Sequence, residues 1–104
     1  MSRGGGEGLR LLYHDQVVKK DIPGLDRSIA ARIRKAIEAK LASSPEQFGK
    51  PLAYTRAGLW VLRVGDWRVV FALRQEEVWI LRTGHRSEVY ESLEALIDLT
   101  GELD

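Results

Sequence analysis

The sequence predicts one small α+β domain, with an N-terminal strand and two helices packed on an antiparallel sheet of about four strands, plus a short C-terminal helix. Isoleucine and leucine recur every four residues in one stretch, as in an amphipathic helix, and three strand-like apolar segments follow it. A chain of 104 residues suffices for one core but not for two domains. Because consecutive strands usually pair, we expect an antiparallel meander.

The start of the chain is glycine-rich. We expect residues 1–8 to form a disordered tip, because such a composition cannot repay the entropy of ordering, and residues 9–104 to form the single domain. The sequence contains neither the apolar run of a signal peptide nor one long enough to span a membrane. We therefore expect a cytoplasmic protein without a membrane partner.

Cysteine and histidine content limits the chemistry. The chain has no cysteine and two histidines, so it forms no disulfide and offers a poor set of zinc or iron ligands. We predict no metal, no cofactor and no small-molecule ligand.

Charge is divided along the chain. Residues 1–86 hold a balance of +7 (16 basic minus 9 acidic), and residues 87–104 hold the other 6 acids and no base. A basic body suits a polyanion or an acidic protein partner. A solvated surface of mixed charge is the open alternative.

The first half of the chain predicts a strand and two helical elements. Residues 9–14 are short and apolar, as in a strand, and residues 15–22 predict one or two helical turns that end before Pro23. Asp26 is a good N-cap for the clearest helix, which Pro45 stops. The core stripe of this helix consists of Ile29, Ile33, Ile37 and Leu41.

The opposite face of that helix is basic. We interpret it either as a solvated face or as a secondary phosphate contact, to which Arg32 and Lys35 would contribute. The basic residues are Arg32, Arg34, Lys35 and Lys40.

The second half predicts a loop, three strands and a helix. Pro and Gly mark residues 44–58 as a loop, and the strands follow as LWVLRV, WRVVFAL and VWILRTGH. Residues 87–101 predict a helix with Ser87 as N-cap and Gly101 at its end. Its inward residues are predicted to be Val89, Leu93, Leu96 and Ile97.

The glycine-aspartate turn at residues 65–66 sets the register of the first hairpin. As a two-residue turn it places Arg63 opposite Arg68, on the face away from the core. Like charges directly opposite destabilise a hairpin, so we expect an anion to compensate. The predicted core face comprises Trp60, Leu62, Val64, Trp67, Val69, Phe71 and Leu73.

The second hairpin extends this basic face. A turn around residues 75–76 pairs Arg74 with Glu77 and brings Arg68 level with Thr83. Strand parity then puts His85 on the arginine face at the end of its strand. We predict that five groups converge there: Arg63, Arg68, His85, Arg86 and Tyr90.

These residue types fit a phosphate site. Guanidinium groups match phosphate oxygens bidentately and stay charged, histidine is the natural proton carrier near neutral pH, and tyrosine stacks on a base or donates its hydroxyl. Every basic residue after position 50 is arginine, including Arg56, which favours anion recognition over general solubility.

Plainer interpretations stay open for these side chains. Arg63 could pair with Asp66 or a C-terminal glutamate, His85 could end its strand with a backbone hydrogen bond, and Tyr90 could pack in the core. We interpret the three tryptophans as packing residues.

The sequence resembles the RelE/ParE superfamily of bacterial toxins from type II toxin-antitoxin systems. KPLAYTRAGLWVLRVGDWRVVFAL is similar to that family's hydrophobic-Arg-Val-Gly-Asp-aromatic-Arg hairpin, and TGHRSEVYE is similar to its Gly-His-Arg-x-x-x-Tyr ending. AARIRKAIEAKLASSPEQFGKPL resembles the helix and loop that precede them. The resemblance covers the chain from about Leu9 to Leu93.

The resemblance implies a RelE-like fold and one of two activities. RelE-like members are ribosome-dependent endoribonucleases that cut mRNA without a metal, by attack of the ribose 2′-hydroxyl on the adjacent phosphate. ParE-like members instead inhibit DNA gyrase. A cognate antitoxin neutralises either kind.

The resemblance also implies roles at matching positions. Arg68 falls on the strand arginine that holds the scissile phosphate, with Arg63 and Arg86 on basic positions beside it. Tyr90 falls on a tyrosine thought to stack on the substrate or activate it, and His85 matches a histidine that some ribonuclease members carry.

One departure from the RelE pattern concerns the first hairpin strand. Leu59 and Val61 stand where that pattern has two lysines, and no general base is assigned.

Our leading hypothesis is a toxin that inhibits translation as a metal-independent mRNA endonuclease, with a cognate antitoxin, the ribosome and mRNA as partners. The alternatives are a ParE-like gyrase inhibitor and a decayed toxin that only binds its antitoxin. The predicted catalytic residues are Arg68, His85, Arg86 and Tyr90, and the predicted substrate-binding residues are Arg63, Arg56, Arg32 and Lys35.

Overall fold

The structure, a computed structural model, describes residues 9–52 and 58–102. Its strands are β1 (Arg10–Tyr13), β2 (Lys50–Pro51), β3 (Leu59–Val64), β4 (Trp67–Arg74) and β5 (Glu77–His85). Its helices are a π-helical turn (Val17–Asp21), α1 (Arg27–Ala36) with a π-helical continuation (Ile37–Leu41), α2 (Pro45–Phe48), a 3₁₀ turn (Val89–Ser92) and α3 (Leu93–Glu102). The tip predicted at residues 1–8 and the predicted site residue Arg56 lie outside the described residues.

The five strands form one sheet in the order β1-β5-β4-β3-β2. The predicted α+β class and the β3-β4-β5 meander are confirmed. Two details differ from the expectation, because β1 joins β5 in parallel and β2 adds a short strand beside β3 inside the predicted loop. A two-residue Lys-Pro strand carries too little pattern to be recognised, since proline is depleted in strands.

The sheet buries apolar residues on both faces. On one face, the fully buried Ile33, Ile37 and Leu41 pack against sheet residues that include Leu62 and Phe71. This is the predicted helix stripe on the predicted core face of the hairpin. On the other face, Val89 and Leu96 bury a second cluster over Leu59, Ala72 and Leu81.

The C-terminal segment differs from its predicted form. It starts as the 3₁₀ turn, and α3 runs through Gly101 to Glu102, so the predicted end at Gly101 is wrong. Ile97, predicted to face inward, is 36% exposed. By alternation along β3 and β4, Arg63 and Arg68 lie on this second face of the sheet.

Asp26 caps α1 as predicted. Its side chain accepts hydrogen bonds from the backbone N–H and the hydroxyl of Ser28, and these bonds lower the pKa of the Asp26 carboxyl. Because the folded-state pKa is depressed, the cap contributes stability above the unfolded-state pKa and loses it as pH falls through the folded-state value.

We therefore expect Asp26→Ala to lower the thermal midpoint at neutral pH, because the first-turn N–H groups lose their acceptor. The difference from the wild type should shrink as the pH is lowered through the depressed pKa. Melting curves from pH 7 downward check this, and an undiminished difference in acid would show that the carboxylate charge is not the source.

The first hairpin register is confirmed. Gly65 takes φ of 62°, as a two-residue hairpin turn with glycine first requires, and Arg63 lies directly opposite Arg68. Arg74 pairs with Glu77 in the second hairpin, also as predicted.

Further along β5 the predicted register is wrong by one residue. Val70 pairs with Arg82 and Phe71 with Ile80, so Leu81 is an extra residue in a β-bulge. Gly84, rather than Thr83, therefore lies opposite Arg68, and His85 lies opposite Trp67. Just beyond the bulge, the Thr83 N–H donates to the buried Asp21 carboxylate at 3.0 Å, which ties the π-helical turn to β5.

Across residues 9–52 and 58–102, none of the helices combines the length and the apolar character needed to cross a bilayer.

Candidate active site

A cavity of about 560 Å³ opens on the sheet face that carries Arg63 and Arg68, next to the 3₁₀ turn. This volume lies within the range of small-ligand sites. All five groups that were predicted to converge line it, together with four further residues. The lining residues are Phe48, Lys50, Val61, Arg63, Arg68, His85, Arg86, Ser87 and Tyr90.

Arg68 is held in place by backbone oxygens. Its Nη1 donates to the carbonyl oxygens of Gly65 and Trp67, each at 2.8 Å. These neutral acceptors fix the half-buried guanidinium without cancelling its charge. The turn therefore preorganises Arg68 as a cation directed at the cavity.

Arg63 lies directly opposite Arg68 across the hairpin. Within the described ranges, no carboxylate lies at ion-pair distance from either arginine, and none lines the cavity. The predicted alternative, an Arg63–Asp66 pair, is not found, because Asp66 pairs with Arg86 instead. An anion bound between the two arginines would relieve their mutual repulsion.

Sulfate or phosphate should therefore raise the melting temperature of the free protein. A ligand that binds only the folded state stabilises it by mass action, whereas chloride acts mainly by screening. Thermal melts at matched ionic strength compare the salts, and Arg68→Ala should reduce the difference to the general stabilisation that excluded sulfate or phosphate gives any folded protein. Equal melting temperatures in sulfate and chloride would contradict an anion clamp.

Arg86 and Tyr90 follow β5. The Arg86 backbone N–H donates to the Asp66 carbonyl at 2.9 Å, and its Nε lies 3.5 Å from Asp66 Oδ1. Since both side chains of this pair are largely exposed, it contributes little to stability and leaves the guanidinium available. Tyr90 is 38% exposed in the cavity rather than packed in the core.

His85 reaches the site by a route that alternation did not predict. The bulge pairs it with Trp67, whose ring it contacts edge-on with centroids 5.3 Å apart. As the last residue of β5, it lines both the arginine cavity and a second cavity next to the π-helical turn. Its position at the strand end therefore brings it to the arginines despite the register error.

Ser87 orients the His85 ring. The Ser87 N–H donates to His85 Nδ1 at 3.2 Å, and its hydroxyl oxygen lies 2.8 Å from the same nitrogen. Donation from the backbone to Nδ1 leaves the hydrogen of the neutral ring on Nε2. When the ring is charged, the hydroxyl can accept from Nδ1–H. Nε2 is thus a donor in both states.

Sequence reasoning did not assign four residues of the cavity to the site, namely Phe48, Lys50, Val61 and Ser87. Ser87 was predicted to be a helix cap, and Phe48 and Lys50 lay in the predicted loop. Lys50 enters the site because β2 pairs it with Val61 of β3. The one available signal was the composition Phe-Gly-Lys, an aromatic and a cation around glycine, inside a loop that precedes the hairpin.

The two helix residues predicted to bind substrate do not line the cavity. Lys35 is exposed on α1. The Arg32 guanidinium lies so close to the hairpin turn that a Cβ added at Gly65 would be 2.9 Å from its Nη2. Arg32 therefore contacts the turn that holds Arg68, rather than the site itself.

Metal ligands are not grouped in the part of the chain that the structure describes. No three His, Asp or Glu side chains there come together where they could hold an ion.

The comparisons with known proteins agree with the fold. The family model for the ParE toxin of the type II toxin-antitoxin system parDE matches residues 11–90. The chain belongs to this family, and the protein is the toxin of a type II toxin-antitoxin system of the RelE/ParE superfamily.

Two curated relatives come from Mycobacterium tuberculosis. Toxin RelE is 34% identical over 73 residues, which are 68% of this chain and 75% of that protein. Toxin RelG is 31% identical over 74 residues, or 69% of this chain and 85% of that protein. The RelBE2 toxin-antitoxin complex of the same organism is similar in structure, with a TM-score of 0.70, 26% identity, and coverage of 81% of this chain and 98% of that one.

Proposed function

We propose that this toxin is a metal-independent endoribonuclease that cuts mRNA on the ribosome and so inhibits translation in the cytoplasm. One observation carries the proposal: permanent cations surround a histidine with an oriented ring, in a cavity whose described lining has no carboxylate. A polyanion is attracted to such a site, and a proton donor stands beside its phosphate.

The residues divide the chemistry among them. The ribose 2′-hydroxyl releases its proton to water and attacks the adjacent phosphorus, and the bond to the 5′-oxygen of the next nucleotide breaks, leaving a 2′,3′-cyclic phosphate and a 5′-hydroxyl. Arg63, Arg68 and Arg86 would stabilise the charge of the pentacoordinate transition state. Protonated His85 would donate from Nε2 to the leaving oxygen, and Tyr90 would orient the nucleotide.

Lys50 supplies a cation from β2 beside Val61, one of the two positions where the RelE pattern has lysines. In our proposal, its ammonium contacts the phosphate from the β2 edge of the cavity. Arg56, Arg32 and Lys35 would contact flanking phosphates only in the larger assembly with the ribosome.

A cognate antitoxin is the second partner in this proposal. The similar mycobacterial structure is a toxin-antitoxin complex. The facing arginines Arg63 and Arg68 in the cavity suit an acidic segment of such a protein, whose carboxylates would occupy the place of phosphate.

A gyrase inhibitor is the second candidate, favoured by the ParE description of the matching family model. A toxin that inhibits gyrase by binding alone does not require a histidine whose ring Ser87 orients beside the arginines. Inducing the protein in cells separates the two functions. Our proposal expects mRNA cleavage within minutes with supercoiling preserved, whereas lost supercoiling with intact mRNA would favour the gyrase inhibitor.

Ser87→Ala tests the role given to His85. Without the hydroxyl, only the backbone N–H of residue 87 faces Nδ1. A donor at that position disfavours the protonated ring, because its Nδ1 also carries a hydrogen. We expect cleavage at neutral pH to fall by about 3- to 10-fold, the value of one net hydrogen bond.

Ser87→Thr is the matched control because it keeps the hydroxyl and should keep the wild-type cleavage rate. A Ser87→Ala variant that cleaves at the wild-type rate would contradict the role of the Ser87 hydroxyl in positioning His85.

A further inference from the structure

Phe48 is an aromatic side chain exposed inside a cationic cavity. It is 45% exposed and lines the same cavity as the three arginines. A single exposed apolar residue is ordinary on a protein surface. The unusual feature is its setting, because a phenyl ring contributes nothing to phosphate binding, yet it stands beside groups that do.

The backbone holds Phe48 at this position. Next to it, Gly49 is buried so closely against the core that an added Cβ would lie 2.5 Å from Phe71 Cζ and 2.9 Å from the carbonyl oxygen of Pro45. The Gly49 N–H also donates to that Pro45 oxygen at 2.8 Å, and Pro45 is itself buried. Gly49, which joins α2 to β2, therefore packs against the core. This packing holds the backbone next to Phe48 in place.

Lys40 engages the Phe48 ring from the preceding helix. Its ammonium lies over the ring, 5.6 Å from the centroid. This cation–π contact restrains the ring without covering it, since the side chain keeps its exposure to the cavity. A flat, restrained, half-exposed ring beside cations is the arrangement that binds single-stranded nucleic acid, in which arginines hold the backbone and aromatic rings stack on bases.

We infer that Phe48 is a stacking platform for one nucleobase next to the scissile phosphate. The inference rests on the proposed function and deepens it, because it makes the substrate a single strand whose base is unstacked from its neighbours. The base would lie on the ring surface that Lys40 leaves open, while Arg63 and Arg68 hold the phosphate. Stacking tolerates any base, so Phe48 would contribute affinity more than sequence preference.

The test uses ribosomes programmed with a short synthetic mRNA whose cleavage site has been mapped. Cleavage is measured in single turnover with wild type, Phe48→Leu and Phe48→Trp, on intact mRNA and on mRNA lacking one base next to the cut. Phe48→Leu should slow cleavage of intact mRNA by about 5- to 100-fold, and Phe48→Trp should retain it.

The missing base supplies the specific readout. At one of the two flanking positions, removing the base should slow cleavage by the wild type by a similar factor. The same removal should slow cleavage by Phe48→Leu by less than about twofold, because that variant already lacks the ring on which the base stacks. Val18→Ala is the matched control, since Val18 is 54% exposed on the π-helical turn outside the cavity. It should cleave like the wild type.

The outcomes separate this inference from the function on which it rests. If Phe48→Leu cuts at the wild-type rate, the stacking platform is refuted while the endonuclease stands. The same holds if the rate loss from Phe48→Leu and the rate loss from base removal multiply at both flanking positions. If the wild type leaves the mRNA intact, the proposed function fails and the platform fails with it.

Discussion

Arg68→Ala should lose about 100-fold or more of the mRNA cleavage rate, the usual effect of removing one preorganised donor from a developing charge. The structure gives the reason, because two backbone carbonyls fix this guanidinium and no described acid neutralises it. Growth arrest on induction should disappear with the activity. Single-turnover cleavage on programmed ribosomes measures the effect directly.

Two variants control this experiment. Arg68→Lys keeps the charge but loses the bidentate fork, so its rate should fall between those of the wild type and the alanine variant. Arg10→Ala removes an exposed arginine of β1, paired with Glu77 at 3.3 Å outside the cavity, and should cleave normally. A folded Arg68→Ala protein with the activity of Arg10→Ala would refute the assignment.

Phe71→Ala should destabilise the protein by about 3 to 5 kcal/mol, the cost of emptying a fully buried phenylalanine site. Phe71 is 0% exposed, its ring stacks on Trp60, and Gly49 rests against it. Because small domains have only about 5 to 15 kcal/mol of stability, much of the population should unfold at physiological temperature. Urea denaturation measures the change.

Phe48→Ala is the natural comparison, because the chain has 2 phenylalanines and they occupy opposite environments. Truncating the exposed ring should change the free energy of unfolding by about 0.5 kcal/mol or less. Similar losses for both variants would contradict the separation of a structural Phe71 from a substrate-facing Phe48.

The arginine pair shows how far sequence reasoning reaches. A glycine that must supply positive φ fixes the turn, and with the turn fixed, alternation determines every partner in β3 and β4, including Arg63 opposite Arg68. The apolar stripe of α1 and its π-helical continuation was equally predictable, because apolar residues that recur every four positions and an aspartate cap are local signals.

What sequence reasoning missed depends on non-local contacts. The bulge at Leu81 inserts one residue into β5, and counting outward from the turn cannot detect an inserted residue. Lys50 and Phe48 enter the site through a glycine seated on Phe71, a contact 22 residues away in sequence. Neither signal exists in a local window.

The chemistry of the cut ends tests the central claim most directly. Purified toxin is added to ribosomes programmed with mRNA, and the products are analysed for their termini. Our account predicts 2′,3′-cyclic phosphate and 5′-hydroxyl ends, with no cut where the attacking ribose is replaced by 2′-deoxyribose. Intact mRNA, 5′-phosphate ends, or cleavage at the deoxy position would contradict it.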